Sequence, residues 1–419
     1  MKRMLLAAML GLFTAPALAQ TAPLTVWTRL PQEVTAAVFD GFRKAHPEIP
    51  ISVENIPGGK NHINKLMAAV AAKAPPDVTT LDVVGTAQFA RVGALMPLDE
   101  LIASRPTLVL AQFSPGQVTT GMFDAKHFAL PFGGDISVIY YNRDMFRGRG
   151  LDPDQPPRTW DVFVDAARRL TVPPATYGFE IFPGNPTTTT FYGLPYLWLA
   201  GGDALDPRTR MYAFNSPAGV RALTYLSDLH LKHKVLLPAA IGRTGDIDAL
   251  LDFQQKRVAM VFGGAAQIPQ LAARPMGFDV GIMEHPTPTA GMTSTSFVGG
   301  DNVGIMATIP KEKLAAAVTL VEYLVSAEGQ RAWWTSKGLL PVRADMLNDP
   351  YYADHPLEKA LLAAYTRGHQ PPNTSHYVEM QQYLRDAYQS VFFGQASPQE
   401  ALDEATAQGN ALIKRTGTP

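Results

Sequence analysis

The segment "LTVWTRLPQEVTAAVFDGFRKAHPEIPISVENI" (residues 24–56) contains the pattern that decides the fold class. Its first seven residues have the apolar alternation of a strand. Within residues 31–50, a helical pattern then begins with Pro31 and ends before Pro47. A second strand pattern occupies residues 51–56. This strand–helix–strand order predicts two parallel strands with the helix packed on a face of their sheet.

The same alternation continues to the C-terminus. A helical pattern over 60–73 and the strand pattern "DVTTLDVV" (77–84) complete a βαβαβ unit. Beyond it the sequence predicts strands at 136–141, 258–262, 278–288 and 297–307, and helices at 157–170, 216–233, 311–336 and 397–415. The fold class is therefore α/β. A chain of 419 residues is too long for one compact core, so two domains are expected.

The first nineteen residues are typical of a secretion signal. Lys2 and Arg3 precede the apolar residues 4–13, and residues 17–19 (Ala-Leu-Ala) match the small-residue pattern of a cleavage site. This apolar stretch is shorter than the about 20 residues that span a bilayer. We therefore expect cleavage near Ala19 and export to a Gram-negative periplasm.

The composition and the motifs argue against several classes of function. The chain has 36 Lys and Arg residues against 37 Asp and Glu residues and no basic stripe with interleaved aromatics, so no nucleic-acid partner is expected. The absence of cysteine excludes disulfides and a thiol nucleophile. The sequence motifs of serine hydrolases, P-loop NTPases, dinucleotide-binding proteins and zinc proteases are also absent, so we expect neither cofactor nor metal. A carboxylate pair for glycoside hydrolysis stays open, because its two members can come from distant segments.

One acidic residue stands out in "LPFGGDISVIYYNRDMF" (130–146). Asp135 lies between two glycines and the predicted strand 136–141, with no Lys or Arg within seven residues on either side. It is either a turn residue or a ligand contact at a strand end. Trp27, Arg29 and Asp82 also fall at or near strand ends, so one crevice could collect all four side chains.

Seven segments resemble the extracytoplasmic solute-binding proteins of ABC importers, in particular the carbohydrate-type family. They occur in the family's order and cover nearly the whole chain after the leader. The segments are "FRKAHPEIPISVENI" (42–56), "PPDVTTLDVVGTAQFARVGALMPLDELI" (75–102), "LPFGGDISVIYYNRDMFRGRGLDPDQPPRTWDVFVDAARRL" (130–170), "DFQQKRVAMVFGG" (252–264), "FVGGDNVGIMA" (297–307), "LVEYLVSAEGQRAWWTSKGLLPVRADML" (320–347) and "SPQEALDEATAQGNALIKR" (397–415). Residues 150–160 and 397–415 are similar in particular to the glycerol-3-phosphate-binding branch.

The resemblance implies the two-lobe periplasmic-binding-protein fold, with hinge crossovers and a ligand cleft between the lobes. This agrees with the two domains expected from length. Crossings are expected near 132–135, 284–286 and 326–328. The implied division is a signal peptide at 1–19, lobe I at 20–133 plus 285–326, and lobe II at 134–284 plus 327–419.

The resemblance also implies which residues face the ligand. Asp135 would lie at the first hinge, where sugar-binding relatives carry an acidic residue, and this favours the ligand contact over the turn. An ionised carboxylate can accept hydrogen bonds from two sugar hydroxyls at once. The other positions that match cleft segments of the family are Asp82, Gly263, Gly264, Gly300 and Asp301.

An aromatic ring is expected to cover the apolar face of a sugar. Many sugar-binding relatives place a Trp after the turn at Gly263 and Gly264, where this sequence has Ala265 and Ala266. The stacking ring must therefore come from elsewhere. The candidates are Trp27, Phe182 and Tyr377, with His376 beside the last, whereas Trp198, Trp333 and Trp334 lie in helical patterns and are assigned to packing.

The glycerol-3-phosphate-binding branch differs at its ligand positions. Where that branch carries Tyr, Glu, Tyr and Arg, this sequence carries His62, Val83, Leu339 and Asn373. Loss of the arginine removes a bidentate phosphate clamp, and the carboxylates predicted in the cleft would repel a phosphate dianion. A phosphate ligand is disfavoured unless His62 and Arg29 compensate.

The resulting hypothesis is the substrate-binding component of an ABC importer, which is not an enzyme. It would capture a sugar or small glycoside between its lobes and deliver it to an integral-membrane permease, acting as a monomer. Two alternatives stay open. One is a protein that binds glycerol 3-phosphate or a glycerophosphodiester, and the other is an exported carbohydrate-active enzyme with two cleft carboxylates as acid and base.

Overall fold

The computed structural model describes residues 22–56, 59–243, 250–273, 276–337 and 340–418. The predicted signal peptide and Leu339 lie outside the described residues. Within these ranges the strands are β1 (Leu24–Thr28), β2 (Ile51–Asn55), β3 (Val78–Asp82), β4 (Met122–Phe123), β5 (Lys126–His127), β6 (Leu130–Ile136), β7 (Val138–Asn142), β8 (Tyr177–Glu180), β9 (Val258–Gly263), β10 (Val280–Met283) and β11 (Val298–Ile305).

The α-helices lie between and after these strands, together with several short 3-10 helices. They are α1 (Gln32–Ala45), α2 (Gly59–Ala71), α3 (Thr86–Arg91), α4 (Asp99–Ser104), α5 (Pro115–Thr120), α6 (Arg143–Gly148), α7 (Trp160–Leu170), α8 (Pro186–Leu199), α9 (Pro217–Leu231), α10 (Pro238–Ile241), α11 (Leu251–Gln254), α12 (Ile268–Ala273), α13 (Lys311–Val325), α14 (Ala327–Lys337), α15 (Pro356–Tyr365), α16 (Tyr377–Phe392) and α17 (Pro398–Thr416). In the part of the chain that is described, no helix is both long enough and apolar enough to cross a bilayer.

The first lobe is built on a sheet with the strand order β2-β1-β3-β11-β6. Strand β1 is parallel to both β2 and β3, as the βαβαβ pattern predicts, whereas β11 is antiparallel to its neighbours β3 and β6. Apolar side chains of β1, α1 and α13 form the core beneath this sheet. Because β1 and β3 are parallel, their C-terminal ends meet at one edge, where Arg29 and Asp82 lie.

The second lobe is built on a sheet with the order β10-β7-β9-β8. Its core continues into a group of helices formed by α8, α9, α16 and α17. Helix α17 begins with the predicted capping box, in which the Ser397 side chain accepts from the Glu400 N–H and Glu400 accepts from the Ser397 N–H. Trp198, Trp333 and Trp334 are all buried, which agrees with their assignment to packing.

Ser137 alone separates β6 from β7, so the chain passes from the first sheet to the second at this residue. The predicted strand 136–141 is therefore divided. Asp135 belongs to β6, since this strand pairs with β11 as far as Ile136. The Ser137 hydroxyl lies 2.9 Å from Nε2 of His285 and accepts a 2.9 Å hydrogen bond from the Phe297 N–H. Both partners lie in the returning connection between β10 and β11, so two crossings are bonded to each other.

The predicted helix 311–336 is two helices, α13 and α14. Ser326 between them is extended (φ −70°, ψ 164°), and its hydroxyl accepts from the Gly329 N–H at 3.1 Å. Helix α14 packs on α1 of the first lobe, and α15 packs beside β10 of the second. From this packing we propose that the third crossing follows α14. The lobe boundaries stay a prediction.

Candidate functional site

A cleft lies between the C-terminal edge of the first sheet and helices α8 and α16. The space within it, open solvent at its mouth included, is about 700 Å³. From the first lobe and the crossings it is lined by Arg29, Asp82, Val84, Asp135, Phe297, Gly299 and Gly300. From the second lobe it is lined by Thr187, Thr188, Thr190, Phe191, Tyr192, Gln267, Tyr377 and Gln381.

Arg29 is the only Lys, Arg or His among the described residues that line this cleft. Its Nε donates to Oδ1 of Asp301 at 2.7 Å and its Nη2 donates to Oδ2 at 2.9 Å, a bidentate pair. Oδ2 of Asp82 lies 3.4 Å from the same Nη2. Two carboxylates reach one guanidinium because Asp82 and Asp301 are paired in register on β3 and β11.

The pair is embedded in the cleft wall. The Asp301 side chain is 0% exposed, and Arg29 is 22% exposed. Burial raises the pKa of Asp301 to about 7, although Arg29 opposes the shift. Burial acts to lower the pKa of Arg29, but Asp301, Asp82 and Asp135 together raise it above its ordinary value, so the guanidinium stays charged.

Asp135 is held in the cleft by bonds to both lobes. Its Oδ1 accepts hydrogen bonds from the N–H of Ile136 at 2.8 Å and from the N–H of Ala265, in the second lobe, at 2.7 Å. Burial raises the pKa of Asp135 to about 6 against the effect of these donors and of Arg29. A Cβ on Gly264 would lie only 2.8 Å from Oδ1, so glycine is needed there for the approach of the carboxylate.

Two aromatic rings, those of Phe191 and Phe297, line the cleft together with Asp135. A Cβ on Gly299 would lie 3.0 Å from the Phe191 ring and 3.8 Å from Cβ of Asp135, so the ring and the acid flank the same glycine. The centroids of Phe191 and Phe297 are 5.0 Å apart. The hydroxyl of the buried Tyr377 makes no hydrogen bond of ordinary geometry within the described ranges, although Thr190 is close to it. The cleft therefore offers carboxylates, a hydroxyl and apolar ring surface together.

The start of α8 contributes a polar rim that the sequence interpretation missed. Asn185 caps the helix by accepting from the Thr188 N–H at 3.1 Å, and Pro186 occupies its first turn. The Thr190 hydroxyl accepts from Nε2 of Gln381 on α16 at 2.9 Å. The signal was the run "NPTTTTFY" (185–192), in which a helix start is followed by four threonines and two aromatic residues.

Five of the predicted residues line the cleft, and two more, Asp301 and Gly264, hold a lining side chain in place. Those that line it are Arg29, Asp82, Asp135, Gly300 and Tyr377. Of the remaining five, Gly263 lies against the ring of Tyr140, where a Cβ would approach to 2.2 Å.

The structure places Trp27 and His62 in the packing around α2. Trp27 packs against the same apolar cluster as Ile63 and Met67, and Nζ of Lys65 lies 4.6 Å from its ring centroid. His62 is buried, and its Nε2 lies 3.4 Å from the Thr79 hydroxyl. Burial lowers the pKa of His62 to about 4, so this side chain is neutral at pH 7 and supplies no positive charge to an anionic ligand.

Phe182 and His376 lie in the second lobe away from the cleft lining. Phe182 belongs to its core, with the Arg243 guanidinium 5.9 Å from the ring centroid. Nε2 of His376 lies 2.9 Å from the hydroxyl of Thr416 and thereby connects the start of α16 to the end of α17. Throughout the described ranges, no group of three or more His, Cys, Asp or Glu side chains is arranged to hold a metal ion.

The chain is similar to a family of known proteins. The family described as bacterial extracellular solute-binding protein matches residues 27–331. The chain is 26% identical to the sn-glycerol-3-phosphate-binding periplasmic protein UgpB of Salmonella typhimurium over 96% of this chain and 95% of that protein.

Two solved structures resemble the whole fold. An ABC transporter solute-binding protein of Thermotoga lettingae, bound with alpha-D-tagatose, has a TM-score of 0.82 and 28% identity over 94% of this chain and 100% of its own. The GacH receptor of Streptomyces glaucescens, described unliganded and in complex with acarbose, has a TM-score of 0.80 and 25% identity over 94% of this chain and 98% of its own.

Proposed function

The chain belongs to the family of bacterial extracellular solute-binding proteins and is the solute-binding component of an ABC importer, and we propose that its ligand is a sugar or small glycoside. The ligand binds in the cleft between the lobes and is delivered to the membrane permease of the importer. If the ligand binds the closed arrangement of the lobes more tightly than the open one, binding shifts the protein towards the closed arrangement. We further propose that the protein acts in the periplasm as a monomer and does not turn its ligand over.

The observation that carries this proposal is the position of Asp135 beside Phe191 in the cleft. A sugar presents hydroxyl groups around its edge and apolar C–H groups on its faces. A carboxylate accepts charge-assisted hydrogen bonds from the hydroxyls, and an adjacent aromatic ring covers the face. The saccharide ligands of the Thermotoga and Streptomyces proteins support the same assignment.

Glycerol 3-phosphate is the second candidate, because the Salmonella relative is named for it. The geometry of this cleft argues against that ligand. A phosphate dianion needs positive charge to balance its own. His62 is buried and neutral at pH 7, since its pKa of about 4 leaves it without that charge, and Arg29 is paired with Asp301. Asp82 and Asp135 would both repel the dianion.

A thermal-shift screen of the exported protein tests the proposal, followed by calorimetric titration of every ligand that stabilises it. The panel contains mono- and oligosaccharides, polyols, charged glycosides, glycerol 3-phosphate and glycerophosphodiesters. A ligand at 100 times its Kd stabilises the folded state by about 2.7 kcal/mol, which is readily measured. We expect the largest shift from an uncharged saccharide. A shift from glycerol 3-phosphate or its diesters alone would contradict the proposal, and loss of the saccharide during incubation would favour an enzyme.

A further inference from the structure

Asp301 is paired with the guanidinium of Arg29, which is the cation that a phosphate ligand would need. Its two carboxylate oxygens accept from Nε and Nη2 of Arg29 at 2.7 and 2.9 Å, and Nη2 also donates to the Gly300 carbonyl at 3.3 Å. This is one of the two bidentate edges that an arginine can present to a phosphate group. While Asp301 holds it, that edge is not available to a ligand.

The charges around the pair make the cleft acidic. Above the pKa of Asp301, its carboxylate cancels the charge of Arg29, and Asp82 and Asp135 then remain as two carboxylates at the cleft surface. No second Lys, Arg or His belongs to the part of the cleft lining that the structure describes. The excess charge repels an anionic ligand, whereas hydroxyl donors are attracted to it.

We propose that Asp301 is a specificity-determining residue, which by neutralising Arg29 makes the cleft reject phosphate esters in favour of uncharged polyhydroxyl ligands. The proposal rests on the proposed function, since it takes this cleft to be the ligand site. Asp301 acts through Arg29 rather than by touching the ligand, because its side chain is completely buried. It is therefore a positioning residue.

The test is Asp301→Asn, with sn-glycerol 3-phosphate titrated calorimetrically at pH 8. Asparagine keeps the size of the side chain and one acceptor oxygen for Arg29, but it releases the guanidinium charge. We expect the affinity for glycerol 3-phosphate to rise by about tenfold or more over wild type. In the double variant Arg29→Gln/Asp301→Asn the gain should disappear, because the released cation is then absent.

Asp77→Asn is the matched control. Asp77 is a buried carboxylate in the same lobe, 2.8 Å from Nζ of Lys313, and it immediately precedes β3, whereas Asp82 ends that strand in the cleft. Its replacement removes the same charge from a buried ion pair outside the cleft, so no gain is expected. An equal gain in Asp77→Asn, a gain that persists without Arg29, or no gain in a folded Asp301→Asn would each overturn the proposal.

Two further measurements keep the proposal falsifiable. If Asp301→Asn does not fold, as judged by circular dichroism, Asp301→Ser removes the same carboxylate and leaves a hydroxyl acceptor beside Arg29. The absence of a gain in affinity in folded Asp301→Ser would then contradict the proposal. Wild-type protein that itself binds glycerol 3-phosphate tightly would also contradict it. Failure of every saccharide to bind would instead count against the proposed function, because the anion titrations use no saccharide.

Discussion

We expect Asp135 to combine a structural role and a ligand-binding role in one carboxylate. Oδ1 joins the N–H of Ile136 to the N–H of Ala265 across the crossing between the lobes. Replacement by alanine would leave these donors without their acceptor, at a cost of about 1–3 kcal/mol for a buried group. Asparagine keeps an acceptor oxygen and removes only the charge, so Asp135→Asn separates the two tasks.

We expect saccharide affinity to depend on pH through Asp135. Its pKa of about 6 lies above that of an exposed aspartate, so it is ionised above pH 6 and takes up a proton as the pH falls through 6. Sugar hydroxyls bind the ionised form more strongly, so the Kd should rise as the pH is lowered from about 7.5 to 5.

Asp135→Asn is the control for this pH dependence. Arg29, Asp82 and Asp301 also face Asp135, and the pKa of Asp301 is raised to about 7, so part of the profile above pH 6 should remain in the variant. Calorimetric titrations of both proteins across the range measure the difference. An unchanged rise in Kd below pH 6 in the variant would assign the titration to another group.

Tyr377 lines the cleft, and its buried hydroxyl makes no hydrogen bond of ordinary geometry within the described residues. Tyr377→Phe should weaken saccharide binding by about tenfold, because a ligand hydrogen bond of ordinary strength is lost. The free energy of unfolding should change by less than about 0.5 kcal/mol, since no intramolecular hydrogen bond of ordinary geometry is removed. Tyr196→Phe is the control, because the Tyr196 hydroxyl is likewise buried and unpaired within the described ranges but is not part of the cleft lining. Equal affinities of both variants would remove Tyr377 from the site.

At the scale of elements, the loop between α15 and α16 connects the second lobe to the first. Nδ2 of Asn373 donates to the carbonyls of Thr119 at 3.2 Å and Met122 at 2.9 Å, at the end of α5 and the start of β4. The Asn373 side chain therefore contacts backbone of the first lobe. Helix α16 starts four residues later with Tyr377, which lines the cleft. The loop therefore links the contact with the first lobe to the wall of the cleft.

Asn373→Ala should weaken saccharide binding without large loss of stability. If the two hydrogen bonds help to hold the lobes together around the ligand, their loss lowers the population of the binding arrangement, and we expect a Kd about three- to tenfold higher. Asn215→Ala is the matched control, since Nδ2 of Asn215 donates to Asp403 within the second lobe alone. The same change in Kd for both variants would show that the contact between the lobes is not the cause.

At the scale of the whole molecule, two of the crossings between the lobes are hydrogen-bonded to each other at Ser137. This fully buried hydroxyl lies within hydrogen-bonding distance of His285 and accepts from the Phe297 N–H, both in the returning connection. The Ser137 hydroxyl and the Phe297 N–H are thus paired where the chain passes between the sheets, and leaving them unpaired would be costly.

Ser137→Ala should lower the free energy of unfolding by about 1–3 kcal/mol, because the buried Phe297 N–H and His285 each lose a partner. Chemical denaturation at 25 °C measures the change. Ser227→Ala is the control, since the buried Ser227 hydroxyl donates only to the Thr224 carbonyl within α9. A loss no larger than that of the control would mean that the connection is held by other contacts.

The sequence alone determined the first βαβαβ unit, the C-terminal helix and the resemblance to the family. Local periodicity is enough to identify β1–α1–β2–α2–β3 and the capping box of α17, because side-chain spacing and caps act within one or two turns. Strand ends in a parallel sheet meet at one edge, and this rule was enough to select Arg29 and Asp82. It could not decide which face of β1 Trp27 occupies or whether His62 is exposed, since both depend on the packing of α2.

Only the tertiary structure decided which of these groups are chemically available. Arg29 and Asp301 are 272 positions apart, and no local pattern shows that they form a bidentate pair. Phe191 and Asp135 lie against the same glycine, Gly299, because α8 in the second lobe faces an edge of the first sheet. Local sequence fixes periodicity and caps, whereas contact between distant segments depends on how the two lobes pack. The charge balance of the cleft, and with it the ligand class, is therefore a property of the folded molecule.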